Sequence, residues 1–152
     1  MKLTTKTALS MAFAAAFMAF GGGAAADHAE APGLKFYSKA DLGGDVFKRD
    51  GVIKEKDTID GKVWTAKDFS IFTSDDDVLD MGFYQSEAVR APVESYGVDE
   101  FMVFLKGGVD LISDDGTVTK VRAGDAIFVE KGWKGIWDTQ GYEKIYVIYS
   151  AD

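Results

Sequence analysis

Between Asp99 and Tyr149 the chain alternates short apolar runs with turn residues. Phe101 to Leu105 is wholly apolar, and Gly107-Gly108 ends that run. Val109-Asp110-Leu111-Ile112 then meets Asp114-Asp115-Gly116, residue types that tolerate the left-handed backbone of a tight hairpin. Thr117 to Val121 returns as a strand, with Val118 and Lys120 on one face and Thr117, Thr119 and Val121 on the other. Ala123-Gly124-Asp125 turns the chain, Ala126 to Val129 forms a short apolar strand, and Lys131-Gly132 breaks it. Ile136-Trp137 and Lys144 to Tyr149 supply the last two. Five or six short strands with glycine at the corners predict an all-β barrel or sandwich.

The pattern is weaker upstream. Val78 to Ser86 predicts a strand, and Glu87 to Val93 leads on toward Glu100, with Pro92 near a strand end. Phe69 to Thr73 predicts another, closed by Asp75-Asp76-Asp77. That triplet lacks the alternating acids, central glycine and distant glutamate of a calcium loop, so it is a solvated turn. Ile59 to Lys62 has turn composition, Val63-Trp64 opens a strand, and Val52-Ile53 precedes a charged patch. From Asp27 to Asp50 the signal suggests an irregular arm across the barrel, with an edge strand at Leu34 to Tyr37 and a turn at Leu42-Gly43-Gly44 as its only elements.

Residues Met1 to Ala26 have the grammar of a secretory leader. Lys2 and Lys6 give a basic start, Ala8 to Phe20 is the apolar run, and Ala24-Ala25-Ala26 offers a small-residue cleavage site before Asp27. The run is shorter than the roughly twenty residues a bilayer span needs. Cleavage and a periplasmic or secreted product are therefore expected. The organisation is a leader at 1–26, an arm at 27–50 and one barrel at 51–152, with no internal repeat.

The formal charge of −8 becomes −10 once Lys2 and Lys6 are removed with the leader. Such a chain does not hold nucleic acid or anionic lipid through its general field, so neither nucleic acid nor membrane is an expected partner. It contains no cysteine and one histidine, His28.

The second half of the chain resembles the cupin superfamily of small barrels, also described as a double-stranded β-helix of jelly-roll type. Its two motifs are G-x5-H-x-H-x4-E-x6-G and G-x5-P-x-G-x2-H-x3-N. Glu100 and Gly107 match the end of the first; Gly124, Glu130, Lys131 and Gly132 match the start of the second, with Glu130 where proline usually stands. Asp99-Glu100-Phe101, Ala123-Gly124-Asp125, Lys131 to Trp137 and Lys144 to Ile148 look like the ureidoglycine-aminohydrolase-like branch, which includes the cupin of ethanolamine utilisation.

In metal-binding cupins the ligands are the three motif histidines and the glutamate. Here the histidine positions fall on Val93, Ser95 and Gly135, or on Glu94 and Tyr96 with the shorter spacing of the first motif. A first-row metal needs three or four ligands in a fixed shell, which Glu100 alone does not supply. Oxygen-only coordination by Glu100 and Glu94 with water is the remaining arrangement. No metal and no cofactor is expected.

Strand alternation puts Glu100, Met102 and Phe104 on one face, and the resemblance turns that face inward. Gly135 and Trp137 share a face, as do Lys144, Tyr146 and Ile148. Ser95, Tyr84, Tyr96 and Trp137 are candidates for a pocket mouth. A barrel lined this way has the composition of a small-molecule site, with Gly135 leaving room where a histidine would stand. The same aromatics would equally serve as core filling. Glu100 buried alone would have a raised pKa and could move protons; paired with Lys144 it would fix the barrel. Three functions stay open. One is an exported, metal-independent barrel binding a small neutral or cationic molecule. Another is a metal-independent hydrolase, isomerase or cyclase using Glu100 with a tyrosine or Lys144. The third is a dimeric accessory protein acting through its outer surface.

Overall fold

The computed structural model describes residues 33–59 and 61–151. The leader, its cleavage site and His28 lie outside the described residues. Among the described residues, nine antiparallel strands carry the fold: β1 (Ile53–Ile59), β2 (Lys62–Thr73), β3 (Leu79–Ser86), β4 (Val89–Val93), β5 (Asp99–Ser113), β6 (Val118–Arg122), β7 (Ala126–Val129), β8 (Gly135–Thr139) and β9 (Tyr142–Tyr149). Their hydrogen-bonded order is β1-β2-β3-β9-β5-β8-β4, with β6 and β7 also pairing β5. The result is a nearly closed β-barrel, as the strand pattern predicts.

Two strand assignments within the barrel are corrected. Phe101–Leu105 and Val109–Ile112 are halves of one 15-residue strand, β5. Its first half pairs with β7 and β9 and its second with β6 and β8, so it bends from one sheet into the other. The bend falls at Gly107, whose φ of 64° suits glycine and where a Cβ would strike the carbonyl of Gly141. The glycines that suggested a strand end instead allow it to turn a barrel corner. The charged patch after Ile53 is also a strand: Lys54 to Thr58 pair along β2. β1 is an edge of the sheet, where charged side chains block pairing with other chains.

Alternation sets the inside. Trp64, Ala66 and Asp68 of β2, Tyr84 of β3, Ala91 of β4, Glu100, Met102 and Phe104 of β5, Trp137 of β8 and Lys144 and Tyr146 of β9 are all buried. Most join one apolar cluster that fills the barrel.

The arm is more ordered than its composition implies. Lys39–Leu42 is a single helical turn, and Asp45–Lys48 a 3-10 turn. Ser38 caps the first, accepting from the Asp41 N–H while the Asp41 carboxylate accepts from the Ser38 N–H. This is a capping box with Asp at its third position, a signal present in the chain but missed. Leu34 to Tyr37 is not a strand. Val46 and Phe47 drop onto Phe83, with Tyr37, Phe69, Ile71, Leu105 and Ile145 packed around them. The arm does lie across the barrel, on the outer face of β2, β3, β9 and β5.

Candidate functional site

Glu100 sits on β5 directly across from Ile148 of β9, and Phe104 across from Lys144. The lysine side chain runs along the barrel interior until its Nζ lies 2.5 Å from Glu100 Oε1. The hydroxyl of Tyr96, from the β4–β5 loop, donates to the other carboxylate oxygen. Both ionic side chains are almost wholly excluded from water, at 3% and 1% exposure. The pairing role of Glu100, one of the two readings its position allowed, is the geometry found.

The Lys144 ammonium is also ringed by aromatic faces. Its Nζ stands 5.4 Å from the Tyr84 ring centre, 5.7 Å from Trp137, 5.8 Å from Tyr142 and 5.9 Å from Tyr146. Each distance is within reach of the ring quadrupole. Met102 Sδ approaches to 3.2 Å. Tyr96 lies parallel to Trp137, with centres 6.0 Å apart. Burial and then the Glu100 carboxylate push the Tyr96 hydroxyl well above the usual phenol range, so it remains a donor.

This seat does not suit a metal ion beside Glu100. Both carboxylate oxygens are engaged by Lys144 and Tyr96, and the surrounding donors are a thioether and ring faces rather than imidazole or carboxylate. Among the described residues no three His, Cys, Asp or Glu side chains are grouped to hold one.

The sequence-derived candidates divide by depth. Glu100, Met102, Phe104, Tyr84, Tyr96, Trp137, Lys144 and Tyr146 are brought together and buried. Tyr84, Tyr96 and Trp137 therefore form the floor of the interior, not its mouth. Ser95 is exposed on the bend after β4 and does not join them. The room expected at Gly135 is taken: a Cβ there would collide with the Ile112 carbonyl and come within 2.8 Å of Trp133 Cζ2.

Three acids escaped the reading of the sequence. Tyr146 donates to Asp68 Oδ1 at 3.0 Å and lies 3.2 Å from Asp80 Oδ2, while Tyr84 donates to Glu55 at 2.9 Å. Burial, opposed by the Tyr146 hydrogen bond and reinforced by the nearby Asp80 and Glu55 charges, pushes Asp68 up to about 6. The signal was the period of β2: Asp68 follows Trp64 and Ala66 on the inward face, where an acid is rare without a partner.

The inner face opens beside this floor. A cavity of about 590 Å³ is lined by Leu111 and Ser113 of β5, Thr119 of β6, Ile127 and Val129 of β7, and Trp133. Ile127 pairs with Met102, Val129 with Glu100 and Thr119 with Leu111, so these residues belong to the inward-facing set. The Trp133 ring meets Tyr96 edge-on at 6.4 Å, and its indole N–H donates to Ser113. Glu130, Lys131 and Gly132 also line the cavity.

An antiparallel barrel of this topology, with the acid of its long bent strand turned inward, is consistent with a cupin jelly-roll. Residues 73–146 match the family model of the EutQ-like cupin domain. The EutQ protein of Clostridium difficile is similar at 26% identity and a TM-score of 0.53, over 63% of this chain and 75% of that one. A Rhizobium leguminosarum protein of unknown function shares 16% identity at a TM-score of 0.51, over 79% of this chain and all of that one. A Pseudomonas syringae protein of unknown function shares 19% identity at a TM-score of 0.53, over 63% of this chain and 44% of that one. The last two likenesses concern the fold alone. No curated protein is similar enough to count as a match.

Proposed function

We propose that this is an exported cupin that binds a small neutral or cationic molecule without a metal. The molecule enters the cavity between β6 and β7. One observation carries the reading: the cation that faces Glu100 is the chain's own Lys144 ammonium, while the inner face beside it opens into about 590 Å³ of mixed apolar and polar lining. That volume lies in the usual range for small-molecule sites. Glu130 and Lys131 of the lining balance each other, and the chain's net charge of −8 disfavours an anionic ligand. The match of residues 73–146 to the EutQ-like family model supports a cupin related to EutQ. It does not supply that protein's activities. Glu100 is less suited to acid–base catalysis than to scaffolding, because both its oxygens are already engaged and closed from water.

The test is a thermal-shift and tryptophan-fluorescence screen of the exported protein against small neutral and cationic metabolites, with chelator present. Binding that survives chelator, and that Trp133→Ala abolishes without loss of fold, is the expected result. A stoichiometric transition metal retained through purification and required for ligand binding would overturn it.

A further inference from the structure

Two edges of the barrel stay open among the described residues: β4 pairs with β8 alone, and β1 with β2 alone. The tip of the β1–β2 hairpin and β4 together line a cavity of about 300 Å³. It shares no lining residue with the cavity between β6 and β7. Ile59 and Trp64 of the hairpin, Val89 and Pro92 of β4, and Ile136 of β8 give it apolar walls. Trp64 is held by its indole N–H, which donates to Ser86 at 3.0 Å. Val63, also in the lining, is 60% exposed. Pro92 and Ile136 begin an apolar track on the outer face, continued by Ile112 and Val118 as each pairs with the next across β4, β8, β5 and β6.

The charged residues of this lining are Lys62 and Arg90, both basic. Arg90 also donates to Asp138, and Lys62 has no ion-pair partner among the described residues. In the row beside the track, Asp138 and Asp110 face each other and each is matched by an arginine, Arg90 and Arg122. Asp57 and Glu87, close by in the chain, are exposed and outside the lining.

We infer that this seam binds a free fatty acid, its carboxylate on Lys62 and Arg90 and its chain against Trp64 and Ile136. An apolar hollow whose charges are both positive suits a molecule with one anionic end and an apolar remainder. The selection is local. The chain as a whole carries −8 and draws in no anion from a distance, and at the β6–β7 cavity an acid and a base balance, whereas here two bases stand together. A guanidinium also matches a carboxylate by its forked donors. A peptide strand is a poorer occupant: Pro92 on β4 has no N–H to offer, and β1 presents Lys54 and Lys56, both features that block strand addition. The volume is at the lower end for small-molecule sites, so a longer acyl chain extends onto the track, roughly 14 Å across three strand spacings.

Calorimetric titration of octanoate into protein produced from the full-length sequence tests this. Octanoate should bind stoichiometrically, and octylammonium at least tenfold more weakly. Each methylene that enters the cavity tightens binding up to about fourfold, so octanoate should exceed butanoate by at least tenfold. Lys62→Gln with Arg90→Gln should weaken octanoate at least tenfold and leave octanol unchanged. Val63→Asp should abolish octanoate binding, and both variants should keep the wild-type circular dichroism. Trp133→Ala, in the other cavity, should leave octanoate binding intact. No octanoate binding at about 1 mM, equal affinity for octylammonium, or undiminished affinity without Lys62 and Arg90 would overturn the site. Loss of octanoate in Trp133→Ala would move the ligand to the β6–β7 cavity and overturn it too. So would retention of the protein on phosphatidylglycerol vesicles uncompeted by octanoate, which would make the seam a reader of lipid surfaces.

Discussion

Removing Lys144 tests the organisation of the barrel interior directly. Lys144→Met keeps the side chain's length and packing but leaves Glu100 charged, buried and bonded only to Tyr96. Loss of one partner of a buried ion pair costs about 3–5 kcal/mol, because the survivor has neither water nor counterion. The ring contacts add up to about 2 kcal/mol in a desolvated seat. About 4 kcal/mol is therefore a reasonable expectation at pH 7. With a urea slope near 2 kcal/mol/M, the unfolding midpoint falls by about 2 M. The partner experiment is Lys144→Met with Glu100→Gln. A neutral amide still accepts from Tyr96 and no isolated charge remains, so at least half the lost stability should return. Two results refute the reasoning: a Lys144→Met midpoint within about 0.3 M of wild type, or a double variant no better than Lys144→Met. Either would mean that the pair is not a buried, mutually dependent unit.

Two further outcomes follow from the same interior. Burial makes Asp68 hold its proton more tightly folded than unfolded, moving from 3.8 to about 6, so its contribution to stability is fully present below pH 4 and is lost as pH rises through 6, by up to about 3 kcal/mol. Asp68→Asn should flatten that window in urea titrations at pH 4 to 7; an unchanged slope would assign the dependence elsewhere. Gly135→His, which restores the histidine expected of metal-binding relatives, should lower the melting temperature without adding metal-dependent stabilisation, because the Ile112 carbonyl and Trp133 occupy the space of its Cβ. A gain in stability with zinc or nickel would contradict the crowding.

The residues alone determined the barrel and its inward face. Period-two alternation around Glu100, Met102 and Phe104 needs no partner to be read, since a strand's side chains alternate whatever it pairs with. The absence of a histidine shell was legible for the same reason: it depends on residue type at a spacing. What alternation does not contain is register, and register decides which inward residues meet. Lys144 reaches Glu100 across 44 positions because β9 lies beside β5, and Tyr146 joins Asp68 to Asp80 because β2 and β9 flank β3. Gly135 offered space on paper, and the close approach of the Ile112 backbone and the Trp133 ring removes it. Leu34 and Phe36 are ordinary apolar residues in the chain. Only the packing of the arm over Phe83 leaves them in solvent.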